Sequence, residues 1–240
     1  MQRYLVLFAR DPGREARAKG FGATGEHLFA TFAAGWRRAA REASARFVIA
    51  APPEDLPAWR ARLGCENRKV LWISQSGSTF GERVRGVLQR ASELPGKAVV
   101  VGGDVAPNPG VLRQAFDALE RGADVILAPA PDGGVSLLAV PAADSDLLAT
   151  LAPRQRGVVG RLRRDLRERG RAVEIIAAAP DVDGRRSLRC LSRDHALEAG
   201  LRSLALRILN ERTCLVSTIP LARTRALISP SGLRAPPAAA

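Results

Sequence analysis

The residues best suited to chemistry are carboxylates in glycine-rich breaks after apolar runs. Asp104 follows Ala98–Val101 and the pair Gly102-Gly103, and Asp132 lies in Pro129-Ala130-Pro131-Asp132-Gly133-Gly134, between the runs Val125–Ala128 and Val135–Val140. Short apolar runs bounded by glycine read as buried strands of a largely parallel sheet, and ligands of such sheets bind beyond the strands' carboxyl ends. Two acidic loops after adjacent strands predict a divalent ion, Mg2+ or Mn2+, shared between carboxylates and phosphates. Hard oxygen ligands suit these ions, and substrate phosphates and water complete their shells. Asp104 is the first candidate metal ligand, and Asp132 a candidate for the metal or for a substrate hydroxyl.

A basic counterpart follows the first apolar run, Tyr4–Phe8. The segment from Ala9 to Gly22 holds three glycines and four cations, including Arg14, Arg17 and Lys19. Glycines let backbone N–H groups approach a polyphosphate, and guanidinium forks pair its oxygens. Arg14, Arg17 and Lys19 are therefore candidate phosphate contacts, with a solvated basic loop as the plain alternative. A third segment, Gln75-Ser76-Gly77-Ser78-Thr79-Phe80-Gly81-Glu82-Arg83, ends in Thr79-Phe80-Gly81-Glu82, a capping box that by itself explains Thr79 and Glu82. Arg83 is left as a candidate for positioning a nucleotide.

The elements that must hold these loops alternate in a strand-then-helix rhythm. Strands are predicted at Tyr4–Phe8, Phe47–Ala50, Val70–Ile73, Ala98–Val101, Val125–Ala128, Val135–Val140 and Val173–Ala177. Helices are predicted from Glu26 to about Glu42, with Leu28, Phe29, Phe32 and Trp36 on the apolar side, around Leu56–Leu63, and after Asn108-Pro109 up to Gly122. Asp144–Leu151 is helix-prone, and Asp194–Arg212 has a buried stripe of Leu197, Leu201, Leu204 and Ile208. Such βαβ units stack into a three-layer α/β/α sandwich with a mostly parallel sheet. Residues 1–212 form this domain, 213–228 an edge strand (Cys214–Ile219) or a partner contact, and 229–240, dominated by Pro, Ala and Gly, a disordered tail.

Composition narrows the class further. Nearly half of the 240 residues are apolar, enough for a sizeable core, and the net charge is +13. That charge favours anionic partners, but aromatic residues are scarce and not interleaved with the arginines, which argues against a nucleic-acid partner. No apolar run approaches a membrane span and no signal-peptide core is evident, so the expected location is cytoplasmic. Cys65, Cys190 and Cys214 are isolated, against both a disulfide framework and a zinc site.

The stretch from Gly102 to Val140 resembles the core of the DUF2064 family of bacteria, the radical-SAM selenodomain-associated glycosyltransferase-like proteins. These belong among the nucleotide-diphospho-sugar transferases and are related to the molybdopterin-guanine and phospholactate guanylyltransferases. Asp104, Pro107, Pro129, Ala130, Asp132, Gly133 and Gly134 match that pattern, and Gln75 to Arg83 resembles a further family segment. Asp181-Val182-Asp183, after the last predicted strand, resembles the family's late Asp-x-Asp motif, in which carboxylates on alternate residues approach one cation. The resemblance implies a GT-A-like fold, Asp104 and Asp183 as metal ligands, Asp104 and Asp132 at the catalytic centre, and Gly133 and Gly134 beside the nucleotide. Val135 stands where the family has tyrosine, and the family's aromatic acceptor-side segment has no counterpart in Arg154–Arg171.

The expected activity is a nucleotide-dependent, glycosyltransferase-like transfer from an activated nucleotide or nucleotide sugar to a small-molecule acceptor. The alternatives are a nucleotidyltransferase that releases pyrophosphate, and a binding protein of the same fold without turnover. A homo-oligomer is compatible with the sequence.

Overall fold

The structure is a computed structural model, and it describes residues 1–151 and 157–216. Seven strands form one sheet: β1 (Gln2–Phe8), β2 (Ala45–Ala51), β3 (Leu71–Ser74), β4 (Gly96–Gly102), β5 (Val125–Pro129), β6 (Val135–Ala139) and β7 (Val173–Ile175), in the order β3-β2-β1-β4-β6-β5-β7. Neighbours are parallel except β6, which runs antiparallel to both β4 and β5. The first strands lead away from β1 on one side and the chain returns to its other side at β4. The paired strands β1 and β4 thus mark a switch point, where the loops beyond their carboxyl ends diverge and leave a crevice.

Both sheet faces are covered, which explains strands that are apolar throughout rather than alternating. One layer joins Leu5, Leu7, Ile49, Val99 and Val101 to Trp36, Trp59, Leu112 and Phe116. These come from α2 (Ala23–Glu42), α3 (Leu56–Leu63) and α5 (Pro109–Glu120). The opposite layer joins Tyr4, Val6, Val48, Val100 and Leu127 to Val84, Leu88, Leu162 and Leu166, from α4 (Phe80–Ser92) and α6 (Val158–Glu168). A third cluster packs α1 (Pro12–Ala18), α7 (Arg185–Arg193) and α8 (Ala199–Val216) on the outer side of α2 through Phe29, Phe32, Leu188, Leu201 and Ile208.

The caps follow the sequence. Thr79 and Glu82 form the expected capping box, and the Asn108 side chain accepts from Val111 N–H ahead of Pro109. Four segments differ from expectation. The basic stretch after β1 is helix α1 rather than a loop, because the Asp11 side chain accepts from the N–H groups of Gly13 and Arg14 and Pro12 suits the first turn. The last long helix begins at Ala199, not Asp194, and α7 precedes it. Asp144–Leu151 is mostly a 3-10 helix at Ala142–Leu148. Helix α8 continues to Val216, so Cys214–Val216 is helical and does not open an edge strand, and residues 217–240, with the expected tail, lie outside the described residues. Among the described residues, no helix is long and apolar enough to cross a membrane.

Helix α2 fixes the loop after β4. Trp36 is fully buried and its indole N–H donates to the Val105 carbonyl at 2.8 Å. Gly35 lets the Pro107 ring lie against the helix, since a Cβ there would come within 2.6 Å of its Cγ. Trp36→Ala removes a large core side chain and leaves the Val105 carbonyl unpaired. It is expected to cost about 3–5 kcal/mol, read as a lower denaturant midpoint, whereas an unchanged midpoint would show that α2 does not hold this loop.

Candidate functional site

Three segments carry carboxylates to the carboxyl edge of the sheet. The loop after β4 holds Asp104, and the Gly103 N–H donates to the Phe8 carbonyl at the end of β1. After β7 the chain stays extended along β5, with Ile176 N–H donating to Leu127 and Ala179 N–H to Pro129. It then pairs with the β4 loop: Val105 and Asp181 form an antiparallel bridge, Ala106 N–H donates to Pro180 and Val182 N–H to Asp104. Val182 is fully buried against the third cluster, so Asp181 and Asp183, on alternate residues, face the cavity. Asp132 reaches the same cavity from the β5–β6 turn, where Gly133 takes a φ of +92°.

The cavity holds about 400 Å³. Its floor is the ends of β1 and β4, and its wall includes Lys19, Arg83, Phe80, Asp104, Asp132, Gly134, Asp181 and Asp183. One carboxylate oxygen from each of Asp132, Asp181 and Asp183 lies within 4.8 Å of the others. An octahedral Mg2+ with bonds of about 2.1 Å spaces its ligand oxygens about 3 to 4.2 Å apart, so a small contraction of these side chains would close a shell. The electrostatics agree. Burial, and then the charges of Asp183, Asp104 and Asp132, push the Asp181 carboxyl up to about 7. The donor set fits a hard divalent ion.

Lys19 lies at the other side of this group. Its ammonium donates to Asp104 Oδ2 at 2.5 Å, to the Val182 carbonyl at 2.6 Å and to Asp183 Oδ1 at 3.0 Å, with Glu15 Oε1 at 3.3 Å. Its side chain is only 7% exposed. Burial works against the charge, yet Asp104, Glu15 and Asp183 outweigh it and raise the lysine's pKa. Helix α1 makes this possible, because the Lys19 N–H closes its last turn onto Arg17 and Glu15 and sends the side chain inward.

The expected site residues therefore separate. Asp104, Asp132, Asp183, Lys19, Arg83 and Gly134 line one cavity. Lys19 is not an open phosphate contact, since carboxylates already surround it. Arg14 is outside the wall and paired with Glu54 at 2.9 Å and Asp55 at 2.6 Å, which raise its pKa in that order. Arg17 is on the exposed side of α1, also outside the wall. Gly133 N–H donates to Ala130 and Gly134 N–H to Asp132, so the turn uses both N–H groups that a phosphate would have needed. Gln75 is structural: buried, it donates to the Ala50 carbonyl at 2.7 Å. Asp181, named in the sequence only as part of the Asp-Val-Asp motif and not as a ligand beside Asp183, faces the cavity as Asp183 does.

The raised acid gives a pH signature. A carboxyl with a folded pKa of about 7, against an ordinary 3.8, adds stability that is complete below 3.8 and lost as pH rises through about 7. Without divalent ions, the melting temperature is expected to fall across that window, and Asp181→Asn to flatten the fall. A slope that persists in the variant would place the titration elsewhere.

Residues 35–152 match the model of a family described as an uncharacterized protein conserved in bacteria (DUF2064). Among curated proteins, none matches the chain in sequence. Several solved structures share the fold. A candidate nucleotide-diphospho-sugar transferase from Desulfovibrio desulfuricans G20 superposes with a TM-score of 0.68 at 22% identity, over 90% of this chain and 98% of that one. The inositol-1-phosphate CTP transferase of T. maritima gives 0.53 at 10% identity, over 86% and 96%. A cytidylyltransferase from Leptospira borgpetersenii gives 0.52 at 13%, over 90% and 96%. The three-layer sandwich is thus a nucleotide-diphospho-sugar transferase-like fold, and within it residues 35–152 match the DUF2064 model.

Proposed function

We propose that the chain is a divalent-metal-dependent transferase that takes an activated nucleotide or nucleotide sugar into the cavity beyond the carboxyl ends of β1 and β4 and passes its group to a small-molecule acceptor. One observation carries this reading: Asp132, Asp181 and Asp183, from two separate segments, converge in the cavity at the sheet's carboxyl edge. The folds it shares with a candidate nucleotide-diphospho-sugar transferase and a CTP transferase support it.

Asp132, Asp181 and Asp183 would hold Mg2+ or Mn2+, which would supply charge neutralisation for a departing phosphate or nucleoside diphosphate. Asp104 is held by Lys19 and, through the Val105–Asp181 bridge, fixes where Asp181 and Asp183 stand. Asp132 is exposed and can accept a hydrogen bond from the acceptor hydroxyl, orienting it for attack. Arg83 donates to the Ser78 carbonyl at 3.4 Å from the opposite wall and can swing to a phosphate oxygen. Its neighbours Phe80, Val84, Leu138 and Val135 form an apolar shelf that excludes water from one side of the substrate. No nucleophile from the protein is needed.

A second reading, binding without turnover, is favoured by the same lysine. Of the three cations expected to meet phosphates, two are outside the wall and Lys19 is surrounded by carboxylates.

Pyrophosphate release, assayed with each nucleoside triphosphate and candidate acceptors, separates nucleotidyl transfer from glycosyl transfer, in which a nucleotide sugar yields nucleoside diphosphate. Thermal-shift titration separates both from a chain that binds nothing. A nucleotide at a hundredfold its dissociation constant is expected to add about 2.7 kcal/mol when Mn2+ is present, and little without it. Asp132→Asn should weaken Mn2+ binding by at least about tenfold. Nucleotide binding that is indifferent to the metal and to this substitution would refute the proposal.

A further inference from the structure

Taking the cavity as the nucleotide site proposed above, we propose that Lys19 is a tethered cation standing where a divalent ion would otherwise bridge Asp104 and Asp183. Its coordination is that of an ion rather than of a surface ion pair. Four oxygens from three segments surround one nitrogen: Glu15 from α1, Asp104 from the loop after β4, and the Val182 carbonyl and Asp183 from the segment after β7, at 2.5 to 3.3 Å. The stem packs near the Phe29 ring, with the nitrogen 5.8 Å from its centre, and the side chain is 93% removed from solvent.

Charge balance gives the reason. In a chain of net charge +13, this cavity wall carries Glu15, Asp104, Asp132, Asp181 and Asp183 against Arg10, Lys19 and Arg83. Carboxylates brought this close repel one another unless a cation lies between them. On the Asp104 side the polypeptide itself supplies that cation. On the Asp132 side, carboxylate oxygens of Asp132, Asp181 and Asp183 lie within 4.8 Å of one another. Lys19 therefore divides the acidic group in two, leaving Asp104 out of any metal shell and confining a divalent ion to Asp132, Asp181 and Asp183. A tethered ammonium has three donors in fixed directions and cannot bind a phosphate while all of them point at oxygens of the protein. Lys19 is thus a positioning residue, holding the β4 loop and the Asp-Val-Asp segment in register before any ligand arrives.

Removing the ammonium should create a metal site. Isothermal titration with Mn2+, checked by electron paramagnetic resonance of free Mn2+, is expected to find one more bound ion per chain in Lys19→Ala than in the wild type. The added ion should disappear in Lys19→Ala/Asp104→Asn, and Lys19→Arg should bind as the wild type does. Lys19→Ala should melt lower than wild type in chelator and regain stability when Mn2+ is added, a response that loss of ordinary packing would not show. If Lys19→Ala binds the same number of ions as wild type, or stays unfolded even with Mn2+, the proposal is overturned. A wild type that binds no Mn2+, beside a Lys19→Ala that binds one, would refute the metal-dependent transferase reading alone and leave the lysine's role standing.

Discussion

A short antiparallel bridge holds this site together. Val105, just after β4, pairs with Asp181, just after β7, flanked by hydrogen bonds from Ala106 to Pro180 and from Val182 to Asp104. The two segments are far apart in sequence, and these few bonds set Asp104 and Asp183 on either side of one lysine. Each partner is anchored from behind. Trp36 and the Gly35–Pro107 contact fasten the β4 loop to α2, and Val182 inserts with Leu188 and Ala106 into the cluster shared by α1, α2, α7 and α8. Helices α7 and α8 thus pack behind the cavity through Val182, and α1 reaches it directly through Lys19.

Charge is distributed against the average of the chain. Arginines give the molecule its excess positive charge, yet many pair with surface carboxylates, as Arg3 does with Glu120 and Arg121 with Glu174. Exposed pairs of this kind add little stability, so their main effect is on solubility and on the approach of anions. Within the cavity the balance reverses. A polyphosphate approaching this edge would meet acidic groups and be repelled unless a cation lay between them. Asp181 registers this conflict, since its carboxyl is displaced toward neutrality by burial and by its neighbours.

Much of this organisation was legible in the residues, because the relevant signals are local. The strands after which Asp104, Asp132 and Asp183 stand are short apolar runs closed by glycine or proline, and alternation in Asp-Val-Asp requires that its two carboxylates share a side. The match to the DUF2064 model covers the strands and loops from α2 to the 3-10 helix after β6, where these signals are densest. What was not legible depends on non-local contacts. Content alone made Arg14, Arg17 and Lys19 equivalent, but α1 sends Arg14 toward Glu54 and Asp55, leaves Arg17 in solvent and turns Lys19 inward. Asp11-Pro12, an N-cap followed by proline, was the signal that could have revealed this helix. Helix α7 escaped notice because only Leu188 and Leu191 are buried among its arginines. The glycines of the β5–β6 turn looked like a phosphate cradle, whereas the structure directs their N–H groups to Ala130 and Asp132.

The most direct test is anomalous diffraction from crystals of the wild-type chain grown with Mn2+ and a nucleoside triphosphate. A manganese peak is expected within bonding distance of carboxylate oxygens of Asp132, Asp181 and Asp183, with phosphate oxygens completing the shell and Lys19 still between Asp104 and Asp183. A peak bridging Asp104 and Asp183 with Lys19 displaced, or nucleotide bound in the cavity with no manganese beside it, would contradict this assignment.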